Sequence, residues 1–371
     1  MQRIGIITII DQHNFGNRLQ NYALQEALGR LGMEAWTIPN APRALSLTLK
    51  IKRSMHEAMS EGLGKVVDRK LRRLVKPEPG PPVPDRYLRH APAIGEFSTT
   101  HIREASLART DDAGLRSTAA AYDCFVVGSD QVWNPFYRHV SPVDFLTFAP
   151  KHQRVAYAAS FGVPEIPAPY RSRYRRYLRG LRSISVREQR AAEIVEELTG
   201  RRVPVVLDPT LLRTAEDWGA EIPDNGRPMG REYLLTFFLS EPRSDELARI
   251  ASYAAAEGLD IVDPFDPVSV PDALSPLQFI GLIRGARVVA TDSFHASVFT
   301  VLFKRGLILK GRDSMESRTE TLLASLGLGL ESWRPLPGLK VVADPDWDGA
   351  HARLDELRAA SLRFLSQSLQ P

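Results

Sequence analysis

The sequence predicts an α/β protein made of two doubly wound domains that face a central cleft. Short runs rich in valine and isoleucine alternate with helical stretches along most of the chain. These runs are continuously apolar, which indicates strands buried on both faces of a parallel sheet. The series is interrupted by the Gly-, Pro- and Asn-rich segment 221–232, so we place the domains at residues 1–220 and 225–371.

The individual elements follow in chain order from apolar runs and helical spacing. In the first domain we predict a helix at 19–32, ending at Gly32, and strands at 3–10, 34–38, 123–129, 154–160, 183–188 and 203–209. A basic, helical and Pro-rich insertion occupies about residues 41–100. In the second domain we predict a last helix at 355–369 and strands at 233–239, 259–264, 287–293 and 306–310.

Bulk composition narrows the classes of function. The chain has 371 residues, a formal net charge of +4 and a single cysteine, Cys124, which excludes an intramolecular disulfide and a thiolate metal cluster. The first residues do not form a signal peptide, and no apolar run reaches the roughly 18 residues of a membrane span. We therefore expect a cytoplasmic protein. We expect no nucleic-acid partner, since no zinc-finger, basic-zipper or RNA-binding signature is present.

Arginine clusters at residues 68–73 and 171–182 carry much of the positive charge. They indicate either solvated helix faces or attraction to phosphate-bearing substrates and to an anionic membrane surface. In the second interpretation, the protein makes peripheral contact with the inner face of the membrane.

Polar residues follow two predicted strands of the first domain. The loop after the first strand either binds an anion through backbone N–H groups or caps the following helix, and it contains Asn14, Gly16 and Asn17. The stretch 128–135 is either a ligand site or a packed turn, and its candidate residues are Ser129, Asp130 and Gln131.

Two further strand ends carry charged residues. Arg187 ends a buried strand, where a guanidinium binds phosphate or carboxylate through paired hydrogen bonds or pairs with Glu188. Asp208 follows another strand and is either a site residue or a loop cap.

The stretch TDSFHASVF, residues 291–299, joins an apolar strand to an almost wholly apolar helix. Ser293 is the predicted N-cap, which puts His295 in the first turn and Asp292 beside it. The helix dipole disfavours imidazolium there, whereas a bound phosphate favours it. We therefore interpret Asp292, Ser293 and His295 as site residues, against the alternative of a histidine bonded only to loop carbonyls.

No metal site is predicted. Residues 344–355 have the acidic spacing of a calcium loop, but Pro345 and Trp347 fit it poorly and Asp355 replaces the usual glutamate. Capping of a helix by Asp348 is the preferred interpretation.

Taken together, these segments resemble the polysaccharide pyruvyl transferase family. The resemblance runs through NFGNRLQNYALQ, DCFVVGSDQVWNP, YAASFG, SISVRE, VLDPTLL, TDSFHASVF and SMESRTETLL. It implies a GT-B-like fold of two Rossmann-like domains, with the last helix returning to the first domain. It also adds Gln20 and Arg318, which stand in the first and last of these segments.

The resemblance further implies an activity. It implies transfer of the enolpyruvyl unit of phosphoenolpyruvate to two hydroxyls of a sugar or glycolipid acceptor, giving a pyruvate ketal and phosphate without a cofactor. It points to His295 and Arg187 as the catalytic residues and to Arg318 as an anion binder. Either Asp130 or Asp208 would accept the proton of the acceptor hydroxyl.

The sequence departs from the family pattern at two positions, since Ala296 replaces a common glycine and Phe15 a common tyrosine. These changes bear on the donor and the acceptor more than on the fold. Two other functions fit the same features: a GT-B-type transferase with a nucleotide-sugar donor, and a non-catalytic glycan- or lipid-binding protein.

Overall fold

A computed structural model describes residues 1–40, 85–106, 112–223, 231–311, 316–332, 339–342 and 345–370. Most of the expected insertion and part of the expected domain boundary therefore lie outside the described residues. The expectations for 45–76, 76–84 and the arginines of 68–73 also fall outside them.

The first domain is built on a parallel sheet in the order β2-β1-β3-β4-β5. Its strands are β1 (Arg3–Ile7), β2 (Glu34–Thr37), β3 (Cys124–Val127), β4 (Arg154–Ala159) and β5 (Ser183–Val186). The helices of this part are α1 (Phe15–Arg30), α2 (Asp85–Leu88), α3 (Ala91–His101), α4 (Asp112–Ala119), α5 (Ala168–Leu178), α6 (Gln189–Thr199) and α7 (Ala215–Gly219). Short 3-10 turns span Pro142–Phe145, Lys151–Gln153 and Pro209–Leu212.

The second domain has a sheet in the order β10-β11-β9-β8-β6-β7. The strands β6 (Tyr233–Phe237), β7 (Asp260–Val262), β8 (Val288–Thr291) and β9 (Gly306–Lys310) are parallel. At one end of the sheet, β10 (Leu330–Ser332) and β11 (Leu339–Val342) are paired antiparallel. The helices are α8 (Ser244–Ala256), α9 (Pro276–Gly285), α10 (Phe294–Leu302), α11 (Glu316–Ser325) and α12 (Trp347–Leu369). Two parallel-sheet α/β domains were predicted, and the prediction is confirmed.

Some predicted elements differ in extent. The segment 203–209 contributes a single bridge, Val186 to Val205, instead of a strand. Helix α12 begins at Trp347, and its N-cap is Asp346, whose side chain accepts the N–H of Gly349. The expected cap, Asp348, lies in the first turn instead. A cap two residues earlier was equally compatible with the sequence, since aspartate occupies both positions.

The two domains pack through one shared apolar cluster. The start of α1 enters it, since the ring of Phe15 stacks on Phe279 at a centroid distance of 4.5 Å. Trp218 of α7 packs edge-on against Phe299 of α10 in the same cluster. This cluster fixes the carboxyl ends of the two sheets toward each other.

The C-terminal half of α12 contacts the first domain. Leu365 and Leu369 are fully buried with strand residues of the first sheet, and the backbone N–H of Leu207 donates to Ser361 Oγ at 3.0 Å. The last helix thus bridges both domains, since its N-terminal half packs in the shared cluster through Ala350 and Leu354.

Candidate active site

Three ionisable side chains converge where the carboxyl ends of the two sheets meet. Arg187 follows β5 and Asp208 precedes a 3-10 turn, both in the first domain, whereas His295 lies in the first turn of α10 in the second. The Nη1 of Arg187 is 2.7 Å from Asp208 Oδ2, and His295 Nε2 is 3.8 Å from the same oxygen. The site is therefore assembled from both domains.

Asp208 is the hub of this cluster. It accepts hydrogen bonds from Arg187 at 2.7 Å, Ser129 Oγ at 2.9 Å, the backbone N–H of Thr210 at 3.1 Å and Thr210 Oγ1 at 2.7 Å. Burial alone would raise the pKa of Asp208, but His295, Arg187 and these hydrogen bonds outweigh it and lower the pKa to about 2. Asp208 is therefore a stable anion that orients its neighbours, and its four donors make it a poor base.

Arg187 is held on three sides. Its second Nη group lies 3.4 Å from Asp130 Oδ1, and its Cζ lies 4.4 Å from the centre of the Phe294 ring. Its buried Nε has no hydrogen-bond partner among the described residues, so the guanidinium retains a donor. Burial lowers the pKa of Arg187, but Asp208 and Asp130 more than compensate and raise it. The side chain is a fixed cation.

His295 is buried, and its Nε2 has no hydrogen-bond partner among the described residues. Burial lowers the pKa of the imidazole, and although Asp208 and Asp130 raise it, the net shift is downward. The ring is therefore mostly neutral near pH 7, and its Nε2 is available to a ligand or a proton.

Gly16 of the first domain packs against the His295 ring. A Cβ placed on Gly16 would lie 2.3 Å from His295 Cγ and 2.4 Å from its Nδ1. No heavy atom fits at those distances, so only glycine allows α1 and the histidine to approach this closely. The backbone of Gly16 thus packs against the His295 ring, and ligand binding at Gly16 stays a prediction.

The other candidate residues of the first loop and of the start of α1 cap the helix or bind Ser129 and Asp130. Asn14 caps α1 by accepting the N–H of Asn17, and Asn17 Nδ2 donates to Asp130 Oδ2 at 3.2 Å. Gln20 is fully buried and accepts the backbone N–H of Ser129 at 3.2 Å. The capping interpretation of this loop is thus confirmed for Asn14, and anion binding by its backbone stays a prediction.

Asp130 has an unusual backbone at the edge of the cluster. Its φ is 71°, a left-handed value that non-glycine residues adopt at a cost of about 1 kcal/mol or more. Burial alone would raise its pKa, but Arg187, His295 and Arg318 lower it. With its side chain 14% exposed, it is more accessible than Asp208, whose side chain is fully buried.

Three residues that were predicted to bind substrate form hydrogen bonds within the protein. Gln131 Oε1 accepts from Asn134 Nδ2 at 2.9 Å. The carboxylate of Asp292 accepts the backbone N–H groups of Leu239 at 2.6 Å and Ser240 at 2.9 Å. Ser293 caps α10 by accepting the N–H of Ala296. Asp292 and Ser293 thus position the start of α10, and His295 with it.

Arg318 of α11 approaches the same aromatic ring as Arg187. It is 2% exposed, and its Cζ lies 5.8 Å from the centre of the Phe294 ring. Its charge acts on Asp130, His295 and Glu188, which places it on the second-domain side of the cluster. Both guanidiniums therefore lie near the Phe294 ring.

Sequence reasoning missed two residues of the cluster, Phe294 and Glu188. Phe294 precedes His295 directly, but its contact with two guanidiniums depends on the meeting of the domains. Glu188 stands beside Arg187 in SISVRE and was considered only as its ion-pair partner. Its Oε1 instead accepts from Ser160, and its Oε2 has no hydrogen-bond partner among the described residues. The position of Glu188 inside SISVRE was the sequence signal that could have identified it as a site residue.

Among the described residues, no group of three or more histidine, cysteine, aspartate or glutamate side chains is arranged to hold a metal ion. Within the same ranges, the helices are too short or too polar to cross a bilayer.

Two facing α/β domains built on parallel sheets give this protein a GT-B-like fold. A putative UDP-N-acetylglucosamine 2-epimerase from Listeria monocytogenes has a similar fold, with a TM-score of 0.51, 10% identity and coverage of 99% of this chain and 91% of that one. The S. aureus MnaA–UDP co-structure is similar with a TM-score of 0.51 and 11% identity, and the match covers 99% of this chain and 91% of that one. A Streptomyces sp. SF2575 glycosyltransferase, SsfS6, matches with a TM-score of 0.48 and 13% identity, over 99% of this chain and 100% of that one. At these identities the likeness concerns the fold alone.

The family follows from the sequence itself. The family model described as polysaccharide pyruvyl transferase matches residues 14–314, and this chain belongs to that family. A comparison with curated proteins finds no match. The matched range includes the first loop, Asp130, Arg187, Asp208 and His295, and it ends shortly before Arg318.

Proposed function

We propose that this protein transfers the enolpyruvyl unit of phosphoenolpyruvate to two hydroxyls of a saccharide or glycolipid acceptor, forming a cyclic pyruvate ketal and releasing phosphate. The observation that carries the proposal is the meeting of Arg187, Asp208 and His295 across the domain boundary. Family membership supports the class of reaction. Phosphoenolpyruvate carries a carboxylate and a phosphate, both of which suit guanidinium donors.

His295 is the proposed acid for the first chemical step. Its unpartnered Nε2 would donate a proton to the methylene carbon of the donor, which leaves positive charge at the adjacent carbon. The neutral ring must first gain a proton, and a bound phosphate dianion raises the pKa of a neighbouring imidazole. Asp208 assists this protonation as the adjacent permanent anion.

Two acceptor hydroxyls then complete the ketal. The first oxygen bonds to the electron-poor carbon, and its proton goes to a carboxylate. The bond from that carbon to the phosphate oxygen then breaks, and the departing phosphate takes up the proton held by the carboxylate. The second hydroxyl adds to the same carbon and returns its proton to His295, which restores the acid. Asp130 is the better base, since Asp208 has four donors and a pKa of about 2. Arg187 would stabilise the departing phosphate through its remaining N–H groups.

The test is an assay of phosphate release. Purified protein is incubated with phosphoenolpyruvate and a panel of saccharides and glycolipids, and the product is examined by NMR for the ketal methyl group. We expect phosphate release that depends on the acceptor, together with a ketal in equal amount. Release of phosphate without a ketal, or no release with any acceptor, would refute the proposal.

A nucleotide-sugar transferase is the second candidate. It is favoured by the similarity of fold to MnaA, whose structure was determined with UDP. Calorimetry separates the two candidates, because tight binding of UDP or thymidine diphosphate with no binding of phosphoenolpyruvate would favour this alternative.

We also propose that the protein acts in the cytoplasm, at the inner face of the membrane when its acceptor is a glycolipid. The exposed arginines of the α5 region support this, and they include Arg175, Arg176 and Arg179. Anionic lipid attracts such groups electrostatically. Other arginines nearby serve the fold, since Arg182 donates to the backbone carbonyl of Gln370 at 2.9 Å.

A further inference from the structure

Glu188 is a buried carboxylate that the proposed chemistry leaves unused. It is 3% exposed and stands at the N-cap position of α6, yet its side chain does not cap the helix. Its Oε1 accepts from Ser160 Oγ at 2.8 Å, and its buried Oε2 has no hydrogen-bond partner among the described residues. A buried acceptor without a donor is destabilising, so a role for this oxygen is expected.

The start of α6 lies against α11 of the second domain. The backbone N–H of Gln189 is 3.5 Å from Thr321 Oγ1. Thr321 follows Arg318 by three residues on α11, so the two side chains share one face of that helix. Arg318 is therefore on the part of α11 that faces Glu188.

The electrostatics of Glu188 agree with this placement. Burial raises the pKa of its carboxyl group, and Arg187 and Arg318 act in the opposite direction. Arg187 is already bound to Asp208 and Asp130, so its charge is balanced elsewhere. Arg318 is the remaining cation that acts on Glu188 from across the cleft.

We propose that Glu188 is a positioning residue whose carboxylate charge holds the Arg318 guanidinium at the donor site. The attraction acts between the two domains near Phe294, whose ring centre lies 4.4 Å from the Cζ of Arg187 and 5.8 Å from that of Arg318. Glu188 does not act on the reacting atoms and instead sets where Arg318 meets an anionic group of the donor. The inference deepens the proposed function and rests on it for the identity of that donor.

The test compares Glu188→Gln with Glu193→Gln. The first keeps an acceptor for Ser160 but removes the charge, whereas Glu193 is an exposed residue of the same helix, paired with Arg190. We expect Glu188→Gln to raise the KM for phosphoenolpyruvate about tenfold, as for one lost charge-assisted contact, with kcat within about twofold. We expect Glu193→Gln to match the wild type.

A pH series gives a readout that a merely structural role would not move. As the pH falls through the raised pKa of Glu188, its carboxyl group gains a proton and Arg318 loses its counter-charge. The wild-type KM should therefore rise toward the value of Glu188→Gln in this range, while the KM of that variant loses this dependence. A variant whose KM equals that of the wild type, or whose loss is in kcat alone, would overturn the proposal.

A double-mutant cycle with Arg318→Gln keeps the inference separate from the identity of the donor. The shift of the urea unfolding midpoint is measured for each single variant and for the double variant without ligand. A double variant no less stable than the worse single variant supports the pairing. Additive midpoint shifts overturn it, even if the protein does not use phosphoenolpyruvate. Failure of the wild type to release phosphate would instead refute the proposed function alone.

Discussion

His295 meets opposing demands on its protonation state. Burial keeps the imidazole neutral in the free protein, whereas the proposed acid step needs an imidazolium. Asp208 provides the counter-charge without competing for the proton, because its own pKa is about 2. Because the pKa values of the two groups lie far apart, His295 can act as the acid while Asp208 stays an anion.

The first prediction concerns Asp208→Asn. Removing this anion leaves burial and the nearby arginines to lower the pKa of His295 further. Because an acid must be protonated, kcat/KM falls as the pH rises through that pKa, and this descending limb should move to lower pH. At pH 7 we expect a loss of about 10²-fold or more. The measurement is a pH profile of phosphate release.

Thr210→Val is the matched control for that variant, since it removes one hydrogen bond to Asp208 and keeps the charge. Its descending limb should move less than that of Asp208→Asn. If the limb of Asp208→Asn coincided with the wild-type limb, Asp208 would have no influence on the acid.

The second prediction uses two glycines of the same helix. In Gly16→Ala the new methyl group would lie 2.3 Å from His295 Cγ, so the imidazole or the start of α1 must move. A displacement of about 1 Å at a catalytic group costs on the order of 10²-fold in rate. Gly29→Ala meets no atom within 4 Å and should keep full activity with slightly higher stability. Equal activity of the two variants would show that the contact has no catalytic consequence.

At the scale of elements, helix α12 is the connection between the domains. It spans Trp347–Leu369, and its two halves pack in different apolar clusters. Leu354 lies in the cluster shared by both domains, and Leu365 lies against strands of the first sheet. Loss of either contact should loosen the domain arrangement without touching a site residue.

The third prediction tests this with Leu365→Ala. The side chain is fully buried, so the variant should lower the free energy of unfolding by about 2–5 kcal/mol, as buried leucine truncations do. Leu247→Ala makes the same chemical change at a side chain that is 45% exposed, and we expect a change within about 0.5 kcal/mol. Urea titration followed by circular dichroism measures both. Similar losses in the two variants would contradict the role given to α12.

Element boundaries show where sequence reasoning was sufficient. Continuous valine and isoleucine runs predicted β3, β5 and β8 within a few residues, because buried parallel strands have few other sequence patterns. Helix α1 begins at Phe15 instead of 19, since its first turn has polar residues that serve the site and no apolar spacing. Helix α12 was predicted too short because Pro345 and Gly349 near its start are poor helix formers.

The candidate site was predictable only in parts. The strand ends identified Arg187, Asp208 and His295 singly, from local pattern and family resemblance. The 3.8 Å approach of His295 to Asp208 depends on how two separately folded sheets dock, and no local pattern in the sequence encodes that distance. Glu188 was not predicted as a site residue for the same reason, because its proposed role depends on helix α11 of the other domain.

At the scale of the whole molecule, the site exists only when the domains are docked. Arg187 and Asp208 come from the first domain, and His295 and Arg318 come from the second. Phe15 is the aromatic anchor of this docking, buried at 3% exposure among rings of the second domain. The tyrosine common in the family would place a hydroxyl in this cluster, whereas phenylalanine favours close apolar packing here.

The last prediction is therefore made for Phe15→Ala, with Phe136→Ala as its control. Truncation of a buried phenylalanine removes about 3–5 kcal/mol of packing, here mostly between the domains. We expect lower stability and weaker binding of phosphoenolpyruvate in Phe15→Ala, although the charged side chains of the site are unchanged. Phe136 is 51% exposed and should tolerate the same change. Calorimetry of donor binding and thermal unfolding measure the two effects, and a Phe15→Ala protein that behaved like Phe136→Ala in both would show that docking does not depend on this ring.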